Sequence, residues 1–182
     1  KNTSRNICPF SEITALTSDY KNKVRWKEDG DNSFYRMENS DGYQVGWVGG
    51  LMGTFPLLAL NDSLSRERVL KTYDYVFSRM IGESGYFYGS YRNGKIVSDR
   101  DNIPEAALVR KNADILFFMI KHFLLLEQQG YAHLVKQEWK DAAENLAKAF
   151  VKTWNKNKDL GNYVNAKTGD IWQVGLAGLL YL

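Results

Sequence analysis

The feature that most constrains this chain is an alternation between segments apolar on every side and segments with one polar face. Residues 43–60 read YQVGWVGGLMGTFPLLAL, with Gly46, Gly49, Gly50 and Gly53 where a neighbouring backbone can approach closely. Such a segment belongs inside a fold. After Asn61-Asp62-Ser63, which are good capping residues, Val69, Tyr73, Val76 and Met80 recur at helical spacing among Arg66, Lys71, Asp74 and Arg79. Residues 104–129 open on Pro104, suited to a first helical turn, and are again apolar nearly all round. Over 131–155 the stripe Val135, Trp139, Ala142, Leu146, Phe150 and Trp154 faces Lys136, Lys140, Glu144, Lys148 and Lys152. Residues 171–182, IWQVGLAGLLYL, begin a third apolar segment.

The connections repeat as well. Ser84-Gly85-Tyr86-Phe87 followed by Asn93-Gly94, and Leu160-Gly161-Asn162-Tyr163 followed by Thr168-Gly169, lie about 75 residues apart, which makes a helical hairpin the expected repeating unit. In a ring of hairpins the inner helices lack a wet face and the outer ones keep it. The predicted fold class is therefore all-α, with about two and a half hairpins of an (α/α)-type toroid that is an incomplete barrel. An inner helix would then expose an apolar flank unless more chain or a second copy covers it. The competing architecture is an ordinary helical bundle, but the long aromatic loops argue against it.

Composition narrows the function classes. The chain's 182 residues are 44% apolar and 14% aromatic, enough to bury a core. The 24 basic residues against 21 acidic ones are interspersed, so nothing points to nucleic acid. Cys8 is alone, which excludes an internal disulfide framework, and no stretch is long and apolar enough for a membrane span. His122 and His133 lack metal-ligand company, and neither a GxSxG elbow nor a P-loop is present. No cofactor and no metal are expected.

The stretches GYQVGWVGG, SGYFYGSYRNGKIVSD, VRKNADILFFMIKHF and FVKTWNKNKDLGNYVNAKTGD resemble the six-hairpin glycosidase superfamily, from about residue 43 to the end. The resemblance implies an (α/α)6-type toroid over 43–182, of which this chain supplies part, with 1–42 as an N-terminal extension and loop. It also implies a bacterial, periplasmic or secreted glycan-degrading enzyme and a carbohydrate substrate. Where the superfamily would place a glycine- and serine-rich stretch after Thr168-Gly169-Asp170, Trp172-Gln173-Val174-Gly175 stands instead.

In such a toroid the residues just before the inner helices converge on the pocket mouth. These are Asp41, then Asp99, Arg100, Asp101 and Glu105, then Asp170. Glycoside hydrolysis needs two carboxyl groups, one to protonate the leaving oxygen and one to attack or activate water. An Asp before a helix is also a common cap. Asp99 and Asp101 carry the better case, because only one of them can cap and two close carboxylates push one proton affinity up. Arg100 can moderate that effect or bind an acidic sugar. Arg110 and Asp114 share one helix face and suit an ion pair, either structural or lining the cavity. Aromatic platforms suit the apolar C–H faces of sugars. Tyr43, Trp47, Tyr86, Tyr88, Tyr91 and Trp172 lie in or beside the inferred loops, with Trp47, Tyr88 and Trp172 favoured, while Phe87, Trp139 and Trp154 read as core.

The expected function is a glycoside hydrolase, or a part of one, with a working pair drawn from Asp99 or Asp101 and Asp41 or Asp114. A polysaccharide lyase using Tyr88, Tyr91 and Arg100, or a glycan-binding scaffold without turnover, are the alternatives.

Overall fold

The structure is a computed structural model that describes residues 9–37, 42–100, 103 and 105–175. Helix α1 (Phe10–Tyr20) runs into a widened turn, Lys21–Arg25, and then a two-stranded ribbon of β1 (Trp26–Lys27) and β2 (Phe34–Tyr35). Two hairpin repeats follow. The first is β3 (Gly42–Gln44), α2 (Leu51–Ala59), α3 (Ser63–Arg79), β4 (Ser90–Arg92) and β5 (Lys95–Val97). The second is β6 (Ala106–Leu108), α4 (Val109–Gln128), α5 (Gln137–Asn157), β7 (Tyr163–Asn165) and β8 (Ile171–Gln173).

Both repeats are tied in the same way. The strand before the inner helix pairs antiparallel with the first strand of the β-hairpin that follows the outer helix, in the orders β3-β4-β5 and β6-β7-β8. Eight strands in three antiparallel sheets among the described residues correct the expected all-α class to a mainly helical fold with small sheets. Each strand is two or three residues long, too short for the period-two alternation that marks a strand in sequence. The apolar segment 43–60 thus divides into a strand, a turn and a short helix, and 104–129 into a strand and a long helix. The third apolar segment opens as strand β8, and its residues 176–182 lie outside the described residues.

The amphipathic stripes pack as their spacing predicts. Val69, Tyr73 and Val76 of α3, Met80 just after it, and Trp139, Ala142, Leu146 and Phe150 of α5 are buried, with α3 packed on α2 and α5 on α4. Asp62 caps α3, its carboxylate accepting from the Ser65 N–H at 2.8 Å. Trp154 departs from the expectation: it is 39% exposed rather than core. Helix α4 buries Ile115, Met119 and Leu126 on one flank and leaves Phe117, Ile120 and Leu124 56%, 47% and 52% exposed on the other. The helix is therefore not apolar and buried all round, as its sequence suggested, but buried on one flank only. Helix α1, in the stretch read as extension and loop, buries no residue and exposes Phe10, Ile13, Leu16 and Tyr20.

Candidate functional site

The turn between β3 and α2 lies across the first turns of α4. Gly46 makes this possible, because a Cβ there would sit 2.9 Å from the Lys111 carbonyl oxygen and 3.0 Å from Ile115 Cγ1. The next residue, Trp47, is carried over the helix surface. Its indole Nε1–H donates to Asp114 Oδ2 at 2.8 Å. The Arg110 guanidinium lies 5.2 Å and the Lys111 ammonium 4.9 Å from the centroid of the ring. Arg110 and Asp114 do share one face, as their spacing requires, but the structure joins each of them to Trp47. The carboxylate of Asp114 is half-buried and carries a neutral donor on one oxygen.

Asp99 approaches the same cluster from below. Its carboxylate pairs with Lys111 and accepts from the Leu108 N–H at 2.9 Å, and its own N–H donates to the Ala106 carbonyl at 2.8 Å. The Asp99 and Lys111 side chains are 4% and 3% exposed. The loop is closed tightly over this pair, since a Cβ on Gly89 would fall 1.9 Å from the Asp99 carboxylate oxygens. Lys111 Nζ also donates to the Gly89 carbonyl at 3.4 Å. A buried, fully engaged carboxylate braces the loop and fixes Lys111 beneath the indole; it has no free oxygen edge turned to solvent. Lys111 was not singled out from the sequence. Its signal was present, since it leads the row Lys111, Ile115 and Met119 on the buried flank of α4, a placement that obliges a cation to find an anion.

The remaining candidates are distributed around this centre. Arg100 donates to Gln173 Oε1 and stands 5.6 Å from the centroid of the Tyr163 ring, and Trp172, the neighbour of Gln173 on β8, is 50% exposed. Tyr88 lines a different cleft, with Glu105. Tyr43 is fully buried in an aromatic cluster with Phe34, Tyr75 and Tyr91, with no surface to offer a ligand, and burial holds its phenol well above the ordinary range. Tyr86 is buried and donates to Thr153 Oγ1 at 3.0 Å. Asp170 is exposed, where the Lys156 ammonium at 2.8 Å and the Thr168 hydroxyl hold its carboxyl below the usual value. Asp41 and Asp101 lie outside the described residues. Beyond Trp47 a cavity of about 200 Å³ runs to Lys21, Arg25, Tyr35 and Met52. Among the described residues no three His, Cys, Asp or Glu side chains gather as metal ligands, and no helix is long and apolar enough to cross a membrane.

No family model matches the sequence, and no curated protein is similar to it. The structure is similar to that of the cellobiose 2-epimerase of Bacillus thermoamylovorans B4167, with a TM-score of 0.55 and 11% identity. The match covers 86% of this chain and 42% of that one, so the chain spans less than half the length of its structural neighbour. At this identity the likeness speaks for the fold alone.

Proposed function

We propose that the protein acts on a carbohydrate, with the carboxylate of Asp114 working beside Trp47 at the head of α4. The observation that carries this reading is the Trp47 to Asp114 hydrogen bond, which sets an aromatic ring and a half-exposed carboxylate side by side where the turn before one inner helix meets the next. An aromatic platform with an adjacent oxygen acceptor is the arrangement a sugar ring requires, with its apolar C–H face against the ring and its hydroxyls toward the carboxylate. Arg110, over the Trp47 ring, offers donors to ring or carboxylate oxygens of a sugar.

The first reading of the chemistry is glycoside hydrolysis, in which Asp114 is one of the two carboxyl groups and Asp41 or Asp101 the other. The ion pair with Lys111 favours a positioning role for Asp99. A second reading, epimerisation of a reducing sugar, is favoured by the activity named for the structural neighbour. It requires a group that removes a proton next to a carbonyl and one that returns it on the opposite face. A lyase built on Tyr88, Tyr91 and Arg100 has less support, since Tyr91 packs against Tyr43 and Tyr75.

The test is an assay of the natural full-length protein on cello-oligosaccharides and on galacturonan. Hydrolysis would release new reducing ends, epimerisation would form an isomer without them, and elimination would create an ultraviolet-absorbing unsaturated product. Asp114→Asn is expected to lower kcat/KM by about a hundredfold or more while the protein stays folded. Wild-type turnover in that variant would remove Asp114 from the reaction.

A further inference from the structure

We propose that the cleft between the β4–β5 hairpin and the start of β6 is a second carbohydrate subsite, one that holds a single neutral pyranose ring through Tyr88 and the carboxylate of Glu105. The cleft has a volume of about 560 Å³, and its lining includes Tyr88, Lys95, Ile96, Val97, Ile103 and Glu105. Its size falls within the range of ligand sites, roughly 300–1,000 Å³. It lies across the Tyr88–Gly89 loop from the Trp47 cluster, because Gly89 is the residue pressed against Asp99.

Glu105 occupies left-handed backbone, with φ at 67°. Among the described residues three other non-glycine positions do so. Asn61 and Asn93 are residue types that tolerate the conformation in turns, and Lys158 ends α5. Glu105 has neither excuse. Its carbonyl accepts from the Ala166 N–H at 2.8 Å, and its Oε2 accepts from Asn165 Nδ2 at 3.2 Å, so strand β7 and the residue that follows it hold both backbone and side chain in place. Strain enforced from outside at a residue type that does not favour it is a mark of a functional position.

The surroundings select the ligand. Tyr88, Ile96 and Val97 offer an apolar wall, while Glu105 and Lys95 supply an acceptor and a donor spaced along its rim. That pairing suits the C–H face and neighbouring hydroxyls of an uncharged sugar, and one charge of each sign leaves no preference for an anionic one. Burial, and after it the negative charge of Glu105, hold the Tyr88 phenol protonated, so its hydroxyl remains a donor. The ligand class rests on the carbohydrate reading above, but the residues are distinct from Trp47 and Asp114, and the two can fail separately.

The experiment is a titration of isotope-labelled protein with cellotetraose, xylotetraose and mannotetraose, following amide signals of Tyr88, Ile96 and Val97 alongside the Trp47 indole signal. At least one tetraose is expected to move the first group. Glu105→Gln should then weaken its Kd by about tenfold or more at an unchanged Tm. Glu105→Gly should lose binding equally while Tm holds or rises by about 2–4 °C, because the left-handed strain is relieved. Absence of shifts at Tyr88, Ile96 and Val97 with all three sugars, or wild-type affinity in Glu105→Gln, overturns the proposal. Shifts confined to the Trp47 indole would leave the Asp114 site standing and remove this one; normal turnover in Asp114→Asn with intact binding here would do the reverse.

Discussion

His122 is fully buried, with its Nδ1 against the Phe118 carbonyl and its Nε2 3.4 Å from Thr54 Oγ1. A carbonyl only accepts, so Nδ1 carries the proton and Nε2 is left to the hydroxyl. The rings of Phe55 and Tyr73 stand edge-on at 5.3 and 5.1 Å, and nothing among these neighbours would compensate a positive charge. Burial, aided by the charge of Lys121, therefore lowers the imidazole pKa to about 4. The unfolded chain takes up this proton near pH 6.5 and the folded one only near pH 4. His122 thus costs no stability above pH 6.5, and stability falls as the pH drops from 6.5 to 4. The loss amounts to about 3 kcal/mol, at 1.36 kcal/mol per pKa unit. Urea midpoints measured at pH 7 and pH 4.5 should show this as a steeper fall for the wild type than for His122→Phe; equal slopes would mean that the ring is solvated in the folded state. A row of apolar helix residues around one histidine spells such a core position.

At the scale of elements, Asp99 and Lys111 join the loop after β5 to the start of α4 through a pair with almost no exposure. Removing one partner strands a buried charge. Asp99→Asn or Lys111→Met alone should cost about 3–5 kcal/mol, and the double variant markedly less than the sum, in a double-mutant cycle read by chemical denaturation. Additive losses would mean that the pair is not coupled in solution. Asp99 was legible in the sequence as an acid ahead of an inner helix, but its function as a brace was not, because its partner lies twelve residues on and is revealed only once β6 and the first turn of α4 are folded. The helices α3, α4 and α5 were legible for the opposite reason: their apolar rows run over several turns, so the period is sampled repeatedly. Helix α1 escaped notice because its apolar residues face outward and its neighbourhood reads as a polar lead-in. The Trp47 to Asp114 bond links residues 67 apart, and each was chosen separately, Trp47 as an aromatic platform and Asp114 as an acid on an apolar helix. Their meeting depends on Gly46, whose missing side chain can be counted in the sequence but whose partner, the α4 backbone, cannot.

At the scale of the whole molecule, the row of Phe117, Ile120 and Leu124 on α4 and that of Phe10, Ile13 and Leu16 on α1 are apolar faces exposed among the described residues. The 182-residue chain by itself should therefore associate reversibly at micromolar concentrations. Phe117→Glu and Leu124→Glu should raise the monomer fraction in sedimentation velocity while shifting stability little, since each side chain is already about half in water. A wild-type chain that sediments as a monomer at tens of micromolar, with both rows exposed, would show that these faces are tolerated in water.

The matching topology of β3-β4-β5 and β6-β7-β8 bears on ancestry. Each three-stranded sheet finds all of its strands within its own repeat, so a gene segment encoding one such unit is self-sufficient in strand pairing. Duplicating that segment asks for no new strand partner, only for a neighbour willing to accept its apolar flank. A chain of this kind can lengthen by whole units, and the loop that follows β5 marks the seam along which one copy gives way to the next.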